Sequence, residues 1–120
     1  MSLRHGWRAL LLASLAGALS ACHAAPAADD VRLGQVVITR AQCGSCHVIP
    51  GVADARGQVG PPLTGFARRT IIAGMLPNTR DNLVRWLLNP QAIVPGNAMP
   101  TSGLSPREAQ DAAAYLDTLD

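Results

Sequence analysis

Apolar residues first follow helical spacing in the stretch that leads to Cys43. Asp29 or Asp30 can cap a helix there, because a short carboxylate accepts hydrogen bonds from free backbone amides. Small or apolar residues then recur at i, i+3, i+4 and i+7, at Gly34, Val37, Ile38 and Ala41. This spacing predicts an amphipathic helix that runs directly into Cys43.

A second helix is predicted between residues 78 and 90. Asn78 or Thr79 can cap its start, and Asp81 places a negative charge in its first turn. Pro90 ends this helix, because the residue before a proline avoids helical geometry. Its apolar residues crowd one side and are Leu83, Val84, Trp86, Leu87 and Leu88.

A third helix is predicted near the end of the sequence. Ser105 at the N-cap and Glu108 three residues later form a capping box, and Pro106 takes the first helical position, where proline is favoured. Its apolar stripe consists of Ala109, Ala112, Ala113, Leu116 and Leu119.

The segments between these helices are rich in glycine and proline. Residues 48–65 show neither helical nor strand periodicity, which predicts a long ordered loop, and such loops are usually functional or wrapped around something. A short helix is expected around Thr70 to Gly74, and residues 91–104 are predicted to form a second loop. No strand alternation is visible, so the predicted fold class is all-α with two long loops.

The N-terminus has the pattern of a lipoprotein-type secretory signal. Arg4 and Arg8 precede a short apolar run, and Leu19-Ser20-Ala21-Cys22 resembles the bacterial lipobox, where cleavage leaves a lipid-modified cysteine. Cleavage after Ala24, which would leave a soluble exported protein, is the alternative. The predicted organisation is a signal at residues 1–21, lipidated Cys22 with a flexible tether at 22–30, and a folded domain at 31–120.

Composition and charge narrow the range of functions. A chain of 120 residues, 48% hydrophobic and 15% charged, suits one small domain, but aromatic residues make up only 3%. Side chains alone are therefore not expected to fill the core. Of the ten basic residues, Arg4 and Arg8 belong to the predicted signal, so eight arginines face eight carboxylates and the net charge is zero. This balance does not support nucleic-acid binding.

Cys43, Cys46 and His47 form a Cys-Gly-Ser-Cys-His motif with four possible chemistries. Structural zinc needs four ligands, and a redox dithiol needs a βαβ context that the pattern lacks. A plain disulfide gives His47 no reason to follow Cys46 immediately. Covalent haem accounts for all three residues, because the two cysteines form thioether bonds to the porphyrin and the imidazole ligates the iron. One haem c is the predicted cofactor.

An electron-carrying haem also needs a sixth ligand, and a methionine thioether raises the potential of a histidine-ligated iron. Met75 and Met99 remain after removal of the predicted signal. Met99 lies between Pro95 and Pro100, which stiffen its loop and reduce the entropic cost of holding the thioether in place. Met99 is therefore the favoured ligand with His47, and Met75 is interpreted as a core or surface residue.

From Val31 to its end the chain resembles a class I cytochrome c with one haem. The resemblance rests on residues 43–47, 60–65, 82–100 and 112–116. The sequence is also similar to small bacterial cytochromes and to the cytochrome domains of cytochrome oxidase subunit II, through its CGSCHVIPG and GPPLTGFARR segments. This resemblance implies three to five short helices wrapped around one covalently bound haem.

The resemblance also assigns roles to individual residues. It implies that the carbonyl oxygen of Pro61 accepts a hydrogen bond from Nδ1 of His47 and so orients the imidazole. It implies that Gly34 and Tyr115 meet where the first and last helices cross. Further contacts with the haem are implied for Arg68 or Arg69 and Asn97 at the propionates, and for Trp86 on the methionine side.

The function expected from these features is electron transfer without catalysis. A terminal oxidase or a periplasmic dehydrogenase is the expected redox partner, and the lipid on Cys22 would hold the protein on the periplasmic side of a bacterial membrane. Two alternatives stay open. If Met99 does not ligate, an open iron position would suit a gas sensor or a peroxidase-like enzyme; the chain could also be an accessory subunit of an oxidase or dehydrogenase complex.

Overall fold

The computed structural model of the protein describes residues 25–120, so the predicted signal and the lipidation of Cys22 lie outside the described residues. The first helix, α1, spans Ala28–Arg40 and starts inside the predicted tether. The prediction that Asp29 or Asp30 caps this helix is wrong, because Ala27 is the N-cap and makes no side-chain bond. Both carboxylates lie in the first turn, where negative charge stabilises the exposed amide end of the helix.

Helix α1 ends at Arg40 and does not run into Cys43 as predicted. Gln42 adopts a left-handed conformation with a φ of 58°, which a continuing helix does not allow. A 3₁₀ turn at Cys43–Ser45 follows. The change of direction at Gln42 separates the amphipathic helix from the turn that carries the cysteines.

The predicted helix at residues 70–74 is also wrong. A hairpin takes its place, in which strand β1 (Ile71–Ile72) pairs antiparallel with strand β2 (Leu76–Pro77). Between the strands, Ala73 and Gly74 have φ values of 50° and 69°. Two successive left-handed residues reverse the chain and are incompatible with a right-handed helix.

Helix α2 spans Arg80–Leu88, and its start is capped by Thr79, whose side-chain oxygen accepts a hydrogen bond from the amide of Asn82 at 3.3 Å. Pro90 follows the helix as predicted, but it also occupies the first position of a short helix α3, Pro90–Ile93. Asn89 caps α3 by accepting from the amide of Ala92 at 3.1 Å. The predicted loop at 91–104 therefore begins with a helical turn.

Helix α4 spans Pro106–Leu116, and the predicted capping box is confirmed. The side chain of Ser105 accepts from the Glu108 amide at 3.3 Å, and the Glu108 carboxylate accepts from the Ser105 amide at 2.8 Å. Small buried alanines dominate the inner face of α4, which lets other helices approach its backbone closely.

Helices α1 and α4 cross at Gly34, as predicted. A Cβ added to Gly34 would lie 1.9 Å from the carbonyl oxygen of Asp111 and 2.9 Å from Cβ of Tyr115, so only glycine permits this approach. The Tyr115 hydroxyl donates a hydrogen bond to the carbonyl oxygen of Pro50 at 2.7 Å. The crossing therefore also fixes the start of the 48–65 loop.

The predicted all-α fold with three to five short helices is confirmed by four α-helices within residues 25–120, to which the structure adds one short hairpin that was not predicted. The predicted long loop is also confirmed, since residues 48–65 contain only an isolated bridge between Val48 and Arg56. None of the described helices is both long and apolar enough to cross a bilayer. The buried core is formed mainly by residues from α1, α2 and α4, among them Val37, Ile38, Leu83, Leu87, Ala112 and Leu116.

Candidate functional site

A single backbone turn presents Cys43, Cys46 and His47. The amides of Cys46 and His47 both donate to the carbonyl oxygen of Cys43, at 3.2 and 3.0 Å. All three side chains are partly buried. The spacing of the motif therefore places both thiols and the imidazole on one compact turn.

The 48–65 loop packs backbone to backbone against this turn. The amide of Gly57 donates to the carbonyl oxygen of Gly44 at 3.0 Å, and the amide of Gly60 donates to that of Cys46 at 2.8 Å. A Cβ at Gly57 would lie 2.3 Å from the carbonyl oxygen of Ser45, and one at Gly44 would lie 2.7 Å from Cα of Ala55. Gly57 in the loop and Gly44 in the turn thus allow the two segments to pack closely together.

The two thiols are free and are not joined in a disulfide. Burial raises the pKa of the Cys43 thiol. Among residues 25–120, no three His, Cys, Asp or Glu side chains are placed together to hold a metal ion, whereas structural zinc needs four such ligands. The two described strands are antiparallel, unlike the βαβ unit of a redox dithiol.

The imidazole of His47 is held by the loop that follows it. Its Nδ1 lies 2.7 Å from the carbonyl oxygen of Pro61. Because a carbonyl oxygen can only accept, Nδ1 carries the proton and Nε2 keeps its lone pair for a ligand. A hydrogen bond of this kind orients a ligating imidazole and raises its basicity.

Gly60 makes room for the imidazole ring of His47, a role that the sequence pattern does not predict. A Cβ on Gly60 would lie 2.2 Å from Cε1 and 2.6 Å from Nδ1 of His47. Its φ is not in the left-handed region, so the need for glycine here comes from the closeness of the ring. The only signal in the sequence was its position next to Pro61, which could not reveal the distance to His47.

A cleft lies between the cysteine turn and the helical core. Its inner cavity is lined almost entirely by apolar side chains, which come mainly from α1, α2 and α4, with Trp86 of α2 among them, together with Phe66. Its outer cavity opens beside Cys46, Val59 and Pro100. The two cavities share Cys43, His47, Met99 and Ser102, and no charged side chain lines either of them. The two cavities therefore adjoin at these four residues, with an apolar lining on the inner side and the cysteines on the outer side.

Met99 and Met75 occupy contrasting positions. Met99 is partly buried, packs against the core and lines both cavities with His47. Met75 lies at the hairpin and is 62% exposed. The structure therefore brings Met99 together with His47 and leaves Met75 on the surface.

These contents fit a covalently attached haem. Two thiols lie on the turn beside the cleft, an imidazole has its free nitrogen fixed, and a soft thioether lines the same space. The apolar lining suits a large planar aromatic group, and a core poor in aromatic side chains is consistent with one. Cys43 and Cys46 would hold the group, with His47 and Met99 as the residues placed to ligate its iron.

The other residues predicted to contact the haem differ in their position relative to the cleft. Trp86 lines the inner cavity with Met99. Arg69 is engaged by the loop, since its guanidinium donates to the carbonyl oxygens of Pro62 and Thr64 and lies 5.5 Å over the ring of Phe66. Arg68 is exposed. Neither arginine lines the inner or the outer cavity, and contact of Arg68 or Arg69 with a propionate stays a prediction.

Asn97 is occupied within its own loop. Its amide nitrogen donates to the carbonyl oxygens of Pro90 and Val94, at 3.2 and 2.7 Å, and its oxygen accepts from the amide of Met99 at 2.7 Å. Both of its amide hydrogens therefore have backbone partners. The geometry gives Asn97 a role in shaping the loop, and the propionate contact stays a prediction.

Comparison with known proteins identifies relatives of this chain. The family model described as Cytochrome c matches residues 31–120. The chain is 36% identical over 87 residues to cytochrome c oxidase subunit 2 of Alkalihalophilus pseudofirmus. This alignment covers 72% of this chain and 25% of that protein. It is also 32% identical over 103 residues to cytochrome c of Chlamydomonas reinhardtii. That alignment covers 77% of this chain and 90% of the Chlamydomonas protein. The chain thus spans only about a quarter of the subunit 2 relative.

A solved structure shares the fold. The c-type cytochrome SorU from Sinorhizobium meliloti aligns with a TM-score of 0.53 and 23% sequence identity. The alignment covers 76% of this chain and 91% of that protein.

Proposed function

Because this chain belongs to the cytochrome c family, we propose that it is an electron carrier whose iron is held between His47 and Met99. Its cofactor is one covalently bound haem c, as in other members of the family. When bound, the haem supplies an iron that changes between the ferric and ferrous states by one electron. The position of Met99 in the cleft that His47 also lines is the observation that carries this proposal.

The residues of the chain prepare this site in three ways. The bond from His47 to Pro61 keeps the imidazole in one tautomer and one orientation. The thioether of Met99 is a soft ligand, which favours the reduced iron and raises the potential. The apolar lining of the inner cavity keeps water away from the site, so little solvent has to reorganise when charge arrives or leaves.

Substitution of the two methionines tests the ligand assignment. Met99→Ala should abolish the weak long-wavelength absorption band of methionine bound to ferric iron and let the ferrous protein bind carbon monoxide. Met75→Ala is the matched control, and it should change neither property because that side chain is largely exposed. If Met99→Ala leaves the band and carbon monoxide binding unchanged, Met99 is not a ligand and an open-site sensor or peroxidase-like function becomes the better proposal.

Our proposal includes a place in a respiratory chain, on the periplasmic side of a bacterial membrane. The lipobox-like sequence at Cys22 supports a lipid anchor, and the similarity to cytochrome c oxidase subunit 2 supports a terminal oxidase as the electron acceptor. A periplasmic dehydrogenase suits the role of donor. Rapid oxidation of the reduced protein by oxidase-containing membranes is the expected result, and oxidation no faster than by air alone would contradict this partner.

The anchor has its own test. Cys22→Ser should move the protein from the membrane fraction to the soluble fraction after cell lysis, because acylation needs the thiol. Unchanged membrane retention of the variant would refute the anchor, while leaving the electron-carrier proposal intact.

A further inference from the structure

One side-chain amide reaches across the loop that carries Met99. Gln91, in the first turn of α3, is partly buried. Its amide nitrogen donates to the carbonyl oxygens of Asn97 and Met99, at 2.9 and 2.8 Å. Its amide oxygen accepts from the backbone amide of Gly96 at 3.0 Å. A single planar group therefore fixes three residues of the loop.

Gln91 and Asn97 hold the backbone of Met99 from both sides. The amide of Met99 donates to the side chain of Asn97 at 2.7 Å, and its carbonyl oxygen accepts from the side chain of Gln91. Neither group of Met99 forms a backbone-to-backbone hydrogen bond among the described residues. The position of Met99 thus depends on these two side chains in place of regular secondary structure.

The base from which Gln91 reaches is itself rigid. Pro90 is fully buried, and Asn89 caps the turn that contains Gln91. Beyond Met99, the hydroxyl of Ser102 donates to the carbonyl oxygen of Leu87 at 3.0 Å, which ties the far end of the loop to α2. The loop is anchored at both ends, and Gln91 spans the part in between.

We infer that Gln91 is a positioning residue for Met99. Its hydrogen bonds keep the loop from opening, and the closed loop retains the Met99 thioether in the cleft. This inference rests on the proposed ligation by Met99. Glutamine suits the role because its amide supplies two donors and one acceptor in one plane. A loop that is already fixed also loses little entropy when its methionine binds the iron. Met99 then sets the electronic properties of the site as a ligand, and Gln91 keeps Met99 in the position of a ligand.

Two substitutions separate this role from simple packing. Gln91→Glu keeps the shape and the acceptor to Gly96 but replaces both donors with an oxygen that faces two carbonyl oxygens. Gln91→Leu removes all three bonds. Gln110→Glu is the matched control, since Gln110 is exposed on α4 and the same chemical change there does not touch the loop.

Imidazole is a suitable probe, because its neutral form binds ferric iron only when the methionine has left. Stopped-flow mixing of haem-loaded ferric protein with imidazole should show binding at least about tenfold faster in Gln91→Glu and Gln91→Leu than in the wild type, because the variants lose two and three hydrogen bonds and each contributes about fivefold. The Gln110→Glu control should bind at the wild-type rate. When either Gln91 variant is heated, the long-wavelength methionine band should also weaken at a temperature below that at which the helices unfold.

The outcomes distinguish failure of this inference from failure of the proposed function. If the wild type shows the methionine band and the Gln91 variants bind imidazole at its rate, the positioning role is refuted and ligation by Met99 stands. If the wild type has no band and binds imidazole as fast as Met99→Ala, both are refuted. Should Gln91→Leu fail to accumulate with haem, the comparison of Gln91→Glu with Gln110→Glu decides the matter by the same criteria.

Discussion

Replacing Gly34 with alanine should force α1 away from α4. The added Cβ would lie 1.9 Å from the carbonyl oxygen of Asp111 and 2.9 Å from Cβ of Tyr115. Favourable contacts between such atoms occur at about 3.5 Å, so the helices would have to separate by more than about 1 Å. Neither neighbour is the flexible end of a side chain, so the strain cannot be relieved by a rotamer change.

The size of the effect follows from opposing contributions. Alanine favours a helix over glycine by about 1 kcal/mol. Overpacking a close contact costs about 1–3 kcal/mol, and the clash with backbone at Gly34 belongs at the upper end. Separation would also weaken the Tyr115 hydrogen bond to Pro50, which contributes about 1 kcal/mol. We expect a net loss of about 2 kcal/mol or more, which lowers the Tm by at least about 8 °C for a domain of this size.

Thermal unfolding of the haem-loaded protein, followed by far-ultraviolet circular dichroism, measures this change. Val36→Ala is the control on the same helix, because Val36 is 55% exposed, and it should change stability by less than about 0.5 kcal/mol. A Gly34→Ala protein as stable as the wild type, or stabilised by the gain in helix propensity, would refute the close crossing of α1 and α4.

Two further predictions concern the imidazole and the pH dependence of stability. Gly60→Ala should displace the ring of His47, because the new Cβ would lie 2.2 Å from Cε1, and the optical spectrum of the ferric protein should show loss of the low-spin form; an unchanged spectrum would contradict this. The amide of Ser105 and the guanidinium of Arg40 lower the pKa of Glu108 from 4.5 to about 2. The stabilisation from ionised Glu108 is therefore complete above pH 4.5 and is lost as the pH falls toward 2. Urea unfolding at several pH values should show a weaker acid dependence for Glu108→Gln, and parallel curves for the two proteins would count against it.

Local signals in the sequence predicted local structure well. Thr79 and the pair Ser105 and Glu108 cap their helices through partners only three residues away, so the pattern contains the whole interaction. The helices α2 and α4 follow from these caps and from their apolar stripes. The position of Gly34 at the helix crossing was predicted from the family resemblance, which carries information about contacts that a single pattern does not.

The predictions from the sequence are wrong where backbone conformation, or contacts between residues distant in the sequence, determine the local structure. The sequence predicts a short helix around Thr70 to Gly74, but left-handed Ala73 and Gly74 turn the chain into a hairpin. Asp29 does not cap the helix, because α1 already begins at Ala28, one residue before it. The loop role of Gln91 was missed because its three partners lie five to eight residues along the chain, in a loop whose path has no periodic signature.

The optical spectrum of the wild-type protein, loaded with haem, tests the central claim most directly. It should be recorded for the ferric form, the ferrous form and the ferrous form with carbon monoxide. Ligation by His47 and Met99 predicts a low-spin c-type spectrum, a weak long-wavelength band in the ferric form and no change with carbon monoxide. A high-spin spectrum that shifts with carbon monoxide would contradict the account.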